Sequence, residues 1–160
     1  MKVREIRASI DHISERATTE TAAKLLAPGA VLVVVRGMIL VHTFPSAVLR
    51  VPAAINQDMK ALIPTSELLP DFLCAFFWAF NSNILNLVEK STHDTRKLET
   101  PKLLDFSIPV PPLSVQHHIV AHLDGLQAKV NALKKLQTET AAELAALLPS
   151  ILDKAFKGEL

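Results

Sequence analysis

The feature that most constrains this chain is a stretch without a strong helix breaker that runs from Ser114 to Leu148. Ser114 follows a proline-rich connection and can cap a helix, and Gly125 is the one weak point within the stretch. Roughly 35 residues at a rise of about 1.5 Å each predict a rod of roughly 50 Å. A helix of that length outgrows a small domain, so the sequence predicts a globular part followed by one long helix.

Apolar residues recur along this helix in alternating steps of four and three, which is the heptad pattern of a coiled coil. Gln137 and Thr140 interrupt the pattern, Pro149 is expected to end or kink the helix, and the tail 150–160 is expected to add an amphipathic turn or two. The chain offers no second long helix, so these residues should pack against another chain or another part of a larger protein. This heptad seam comprises Ile119, Leu123, Leu126, Val130, Leu133, Leu144, Leu147 and Ile151.

The residues before the long helix alternate between β-branched runs and helical patterns. Thr18–Leu26 predicts a short helix that Pro28 and Gly29 end. The apolar run 30–36 predicts a strand buried on both faces, because it has no polar alternation. Further extended segments are expected at residues 38–43, 47–51, 58–63 and 106–110.

A cluster of phenylalanines predicts a helix over residues 71–80, with Pro70 in its first turn. This helix should pack on the sheet, and Cys74 within it should be a small buried hydrophobe. Residues 84–89 predict a second helical piece, the polar run 90–97 a loop, and Thr100-Pro101 a short helical turn. The predicted fold class is α/β, with a mixed sheet and covering helices in residues 1–112 and a coiled-coil-like helix and tail in residues 113–160.

Composition excludes several classes of protein. Apolar residues make up 49% of the chain and charged residues 21%, which is typical of a folded protein. The net charge of +1 gives no argument for nucleic acid by itself. The single cysteine excludes an internal disulfide, the charged N-terminus is unlike a signal peptide, and no apolar stretch is long enough to span a membrane. We therefore expect a cytoplasmic protein that does not bind membranes.

The sequence also argues against catalysis and against a metal site. His118 and His122 lie four residues apart on the predicted helix, which is compatible with zinc, but the glutamate of a metalloprotease motif is absent and no third ligand is nearby. His117 is the third histidine of this cluster, and its presence does not alter the argument against a metal site. The chain carries no nucleophile elbow, phosphate loop or cofactor motif. We expect a non-catalytic protein without metal or cofactor.

Three stretches together carry a family resemblance. They are Ile108–Val120 followed by the heptad helix, the ending Leu147–Leu160, and Val33–Leu40 with Ala54–Leu62. The proline-rich entry into a long helix that contains Gln116 is a specific signal. On these stretches the chain resembles the DNA-specificity subunit of type I restriction-modification enzymes.

The resemblance implies a function and a set of partners. In that family two target-recognition domains, separated by long helices that pack on each other, each read half of a split site in double-stranded DNA. Methyltransferase subunits dock on the specificity subunit, a motor-nuclease subunit joins for restriction, and the specificity subunit does no chemistry. The resemblance extends over nearly the whole chain, but this chain resembles only the second half of the family's subunit and lacks the opening part of that half's recognition domain. The chain is then expected to be a natural short form, a truncated remnant or an excised fragment.

Side chains suited to base edges and phosphates lie next to the predicted strands and in the polar loop. Each has an alternative role: Arg36 can pair with a core carboxylate, while Asn56 and Gln57 can simply build a turn. The competing function is an assembly module in which only the helix acts, through self-association or docking. A basic, concave, solvent-exposed face on the sheet domain would favour DNA reading, and a neutral or acidic face would favour the assembly module. The candidate DNA-binding residues are Arg36, Asn56, Gln57, Lys60, Arg96 and Lys97.

Overall fold

A computed structural model of the chain describes residues 3–14, 16, 20, 25–90 and 95–159. The helix predicted for Thr18–Leu26 lies largely outside the described residues. The chain divides into two compact units, Met1–Val120 and Ala121–Leu160. Within the described ranges, no helix combines the length and the apolar character needed to cross a bilayer.

A four-stranded mixed sheet forms the centre of the first unit. The strands lie in the order β1-β3-β2-β4, with β1 parallel to β3 and the other neighbours antiparallel. Val31, Leu32 and Val33 are all buried, so the central strand is covered on both faces, as its continuous apolar run predicts. The mixed sheet predicted from the sequence is confirmed. Its strands are β1 (Glu5–Ile6), β2 (Val31–Val34), β3 (Ser46–Leu49) and β4 (Met59–Leu62).

Three short α-helices with fully described bounds lie in this unit: α1 (Pro70–Ala79), α2 (Asn81–Leu85) and α3 (Thr100–Leu104). Pro70 occupies the first turn of α1, where its missing N–H has no partner to lose. Phe77 packs edge-on against Phe44 with ring centroids 5.5 Å apart, which joins α1 to the sheet. The predicted helix over residues 71–80 is confirmed, and its buried residues are Phe72, Leu73, Cys74, Phe76 and Phe77.

The extended segment predicted for residues 38–43 is wrong. Met38–Val41 forms a 3-10 helix, which starts directly after Gly37. Gly37 has a φ of 131°, a conformation that L side chains rarely adopt, and it turns the chain out of the sheet. Leu40 then enters the core, and this one anchor fixes the turn where an apolar run alone suggests a strand.

Other boundaries differ from those predicted. The second helical piece begins at Asn81 and ends at Leu85, rather than spanning residues 84–89. The predicted loop 90–97 includes part of an antiparallel pair, β5 (Glu89–Lys90) with β6 (Arg96–Lys97). Residues 106–110 form no strand. Short polar strands of this kind have no apolar alternation, so a hydrophobic pattern does not reveal them.

The long helix α4 spans Leu113–Lys157, so the predicted helix is confirmed and longer than expected. Its first turn is closed by the carbonyl of Pro112, which accepts hydrogen bonds from the N–H groups of Val115 and Gln116. Of the two outcomes predicted for Pro149, an end of the helix is wrong, because the helix continues through it, and a kink stays a prediction; the predicted helical tail is confirmed as far as Lys157. Proline removes one donor, and the strong helix formers around it carry the remaining bonds.

Gln116 fixes the start of α4 to the first unit. Its side chain is fully buried and uses its polar atoms in three hydrogen bonds, each 2.8 Å long. The amide nitrogen donates to the carbonyls of Glu67 and Pro111, and the amide oxygen accepts from the N–H of Leu69. One side chain therefore ties the helix start to the loop before α1.

A charged cluster ties β1 to β3 and α1. The guanidinium of Arg50 donates to Glu5 Oε1 at 2.7 and 3.0 Å, and it also pairs with Asp71. Hydrogen bonds from Arg50 are the main reason that the pKa of Glu5 lies below its usual value of 4.5, and Arg7 adds to the effect against the opposing effect of burial. The Glu5 carboxylate is therefore stabilised in the folded state.

This cluster predicts a loss of stability in acid. Because the folded-state pKa of Glu5 is lowered, its contribution is fully present above the unfolded pKa of 4.5 and is lost as pH falls through the folded value. Thermal unfolding midpoints measured across this window should fall with pH, and Arg50→Met should flatten that dependence. Lys135→Met is the control, since Lys135 pairs only with exposed Glu139 at 3.7 Å. An equal pH dependence in wild type and Arg50→Met would contradict the assignment.

Candidate nucleic-acid interface

Three separate segments meet at one end of β2. The carbonyl of Asp58 accepts hydrogen bonds from the N–H groups of Val35 and Arg36 at 2.8 and 3.2 Å. On the other side, Gly37 N–H donates to the carbonyl of Arg96 at 3.0 Å, and the backbones of Arg36 and Lys97 form an antiparallel bridge. Residues 34–37, 56–60 and 96–99 therefore lie side by side at this end of the sheet and are called here the strand-end region.

The strand-end region carries all six candidate DNA-binding residues and a local excess of positive charge. Its basic residues are Arg36, Lys60, Arg96 and Lys97, and its acidic residues are Asp58 and Glu99. The whole chain has a net charge of only +1, so basic charge is concentrated here. A basic face is expected of a DNA-reading protein, and here Arg36 and Lys60 are exposed while Arg96 and Lys97 are half-buried.

Arg36 is exposed, so the alternative of a buried ion pair in the core is wrong. No ion pair joins Arg36, Lys60 or Arg96 to another described residue. Lys97 differs, since its ammonium lies 2.6 Å from Glu99 Oε1. The hydrogen bond from Lys97 is the main reason that the pKa of Glu99 lies below its usual value. Arg36, which is exposed, is therefore better placed than Lys97 to accept a new anionic partner.

The amide candidates lie in the turn between β3 and β4. Asn56 Oδ1 accepts a hydrogen bond from the N–H of Asp58 at 3.1 Å, which supports the turn-building role for Asn56. Gln57 stands beside it with an exposed side chain, and Lys60 is exposed on β4. Gln57 and Lys60 thus remain open to a ligand, while Asn56 has a structural role already.

Residues considered for catalysis or metal binding have ordinary surroundings. Cys74 is buried, and desolvation raises the pKa of its thiol, which disfavours the reactive thiolate. His117, His118 and His122 are exposed on α4. Over the described part of the chain, no group of three or more His, Cys, Asp or Glu side chains is placed to hold a metal ion.

The heptad seam forms a second candidate interface. Each of its eight residues is at least 36% exposed, and Leu133 and Leu144 exceed 60%. Leu136 and Leu152, which lie next to the seam, are also exposed. A row of large apolar side chains at heptad spacing is typical of a helix that packs against a partner helix.

The sequence identified the candidate residues by type but did not reveal that they converge. Arg96 and Lys97 were assigned to a loop, and their strand pairing is what brings them beside Arg36. The buried role of Gln116 was also missed, because its partners Glu67 and Leu69 lie 49 and 47 residues away in sequence.

A family model for the type I restriction modification DNA specificity domain matches residues 7–144. The chain belongs to this family. The matched range includes the whole strand-end region and the seam as far as Leu144. The resemblance to specificity subunits drawn from the sequence is therefore confirmed.

Individual relatives agree with the family assignment. The type I restriction enzyme EcoR124I/EcoR124II specificity subunit from Escherichia coli is 34% identical over 128 residues, which are 80% of this chain and 32% of that protein. The HsdS subunit from Thermoanaerobacter tengcongensis has a similar structure, with a TM-score of 0.61 and 33% identity over 85% of this chain and 31% of that one. A chain in a structure of the type I R-M system gives a TM-score of 0.66 and 35% identity over 86% of this chain and 33% of that one. The chain thus spans about a third of the length of these specificity-domain relatives.

Proposed function

We propose that this chain recognises a DNA sequence, as part of the specificity subunit of a type I restriction-modification enzyme, and performs no catalysis. The observation that carries the proposal is the strand-end region, where Arg36, Gln57 and Lys60 are exposed and Arg96 is half-buried, on backbone segments that hydrogen-bond to each other. Arginine and glutamine can make paired hydrogen bonds to base edges, and lysine can hold phosphates.

The partners follow from membership of the family. We propose that the chain binds double-stranded DNA together with methyltransferase subunits and associates with a restriction subunit. A net charge of +1 supplies little of the phosphate attraction that drives non-specific affinity. Binding by the chain alone should therefore be weak, and methyltransferase subunits should add the contacts that make it specific.

The exposed heptad seam supports a second candidate function, assembly through α4. Two copies joined along the seam would place two strand-end regions on one assembly with two-fold symmetry. This role is compatible with DNA reading. Assembly would be the function of the chain by itself only if the strand-end region contacts no DNA.

DNA reading predicts different effects for different residues. Arg36→Ala, Gln57→Ala or Arg96→Ala should cost about 1–3 kcal/mol at whichever residue makes a paired base contact, and should relax preference at one position of the site. Lys60→Ala or Lys97→Ala should weaken binding to all sequences alike and flatten the salt dependence. The measurement is a titration of the complex with methyltransferase against a randomised duplex pool, with methylation as a second readout.

Lys135→Ala is the matched control, because this exposed lysine lies on α4, outside the strand-end region. It should change neither the preferred sequence nor the affinity beyond a small loss of general charge attraction. A complex that assembles, enriches no sequence and responds to none of the strand-end variants would exclude DNA reading and leave assembly as the function.

A further inference from the structure

The 3-10 helix Met38–Val41 presents apolar side chains directly after the strand-end region, beside Arg96–Lys97. Met38 is 59% exposed, and Ile39 and Val41 are each 42% exposed. Single exposed apolar residues are common, but three among four consecutive residues form a contiguous patch. These three side chains are called here the apolar turn.

The apolar turn is held firmly from both sides. Leu40 is buried in the core, and Gly37 N–H donates to the carbonyl of Arg96 at 3.0 Å. On its far side, Asn81 Oδ1 accepts hydrogen bonds from Thr43 Oγ1 at 3.1 Å and from Phe44 N–H at 2.6 Å. Its exposed side chains therefore project from a backbone held in place by hydrogen bonds. A contact that distinguishes between ligands needs such preorganisation.

The charges around the apolar turn indicate which partner covers it. Arg36 precedes the turn, and the backbones of Arg96 and Lys97 pair with the residues just before it. A protein helix packing on this patch would have to desolvate these cations, whereas the phosphates that border a DNA groove would pair with them. The one apolar group that base edges present in the major groove is the C5-methyl of thymine.

We propose that the apolar turn reads a thymine methyl group in the major groove of the target half-site, through Met38 or Ile39. The inference rests on the proposed DNA-reading function and adds a specificity contact that hydrogen-bonding side chains do not supply. The arginines beside it would hold phosphates or neighbouring bases, and the apolar turn would fill the space over one thymine.

The test is a double-mutant cycle between protein and DNA in the complex with methyltransferase. Once the preferred half-site is known, each thymine is replaced by uracil, which removes only the methyl group. At one position this should weaken wild-type binding about four-fold, the value of one buried methyl-sized group. Met38→Ala or Ile39→Ala should weaken binding to the thymine duplex by a similar factor and abolish the difference between thymine and uracil.

Ile63→Ala is the matched control, because Ile63 is 79% exposed and follows β4 at the end away from the turn at Asn56. It should retain the full thymine preference. The inference would be overturned by a half-site that contains no thymine. It would also be overturned if replacing thymine by uracil had the same effect on wild type and on both variants. In either case Arg36→Ala and Arg96→Ala would still test DNA reading separately. Loss of methyltransferase binding by Met38→Ala or Ile39→Ala with an unchanged thymine preference would assign the surface to a protein partner and also overturn it. If the complex enriches no sequence, the proposed function itself fails.

Discussion

Replacing Gln116 with leucine is expected to lower the free energy of unfolding of the first unit by about 2–4 kcal/mol. Leucine fits the volume but leaves the N–H of Leu69 and the carbonyls of Glu67 and Pro111 without the partner that each has at 2.8 Å. Buried polar groups without partners cost about 1–3 kcal/mol each, and neighbouring losses are not fully additive. Urea unfolding followed by circular dichroism measures the difference.

Gln127→Leu is the matched control for this experiment. Gln127 lies on the same helix, is exposed, and bonds only to the Asn131 side chain at 2.8 Å. Water replaces that bond, so the same substitution should change stability by a few tenths of a kcal/mol. Equal effects of the two substitutions would mean that the buried hydrogen bonds of Gln116 contribute nothing specific to the domain.

The parts of the fold that local patterns specify were predictable from the sequence. The continuous apolar run that becomes β2 predicts a strand that is buried on both faces. The spacing of the phenylalanines in α1 predicts a helix with one apolar face packed on a sheet. The absence of breakers after Ser114 specifies a long helix. Pro149 does not end the helix, because a proline removes a single hydrogen bond and the residues around it favour a helix.

What the sequence could not supply was the long-range pairing. Met38–Val41 is apolar enough for a strand, and only the capture of Leu40 by the core makes it a 3-10 helix. Arg96 and Lys97 are polar and have no periodicity, yet they pair beside Arg36. The candidate residues were therefore chosen by chemical type, whereas the strand-end region that they form is a property of tertiary structure.

Self-association of the chain along the heptad seam is expected, and Leu126→Asp with Leu133→Asp is expected to abolish it. Both leucines are exposed in the single chain, at 45% and 61%, so the charges would be harmless to the monomer. In a packed seam each carboxylate would lose its water without gaining a partner, at a cost of several kcal/mol in association free energy. Light scattering or sedimentation at high micromolar concentration should show a wild-type dimer and a mutant monomer.

Ala128→Asp with Ala132→Asp provides the control for charge, because these exposed alanines lie off the seam on the same helix and the net charge changes equally. This variant should remain a dimer. A wild-type monomer would exclude self-association, and the seam would then have to pack against a different chain or against another part of a larger protein. Loss of the dimer in both variants would mean that added negative charge, and not burial in the seam, disrupts association. A dimer that survives in the Ala128→Asp, Ala132→Asp variant but not in the Leu126→Asp, Leu133→Asp variant would locate the interface on the heptad positions. Both variants add two negative charges to the same helix, so electrostatic repulsion alone could not explain the difference.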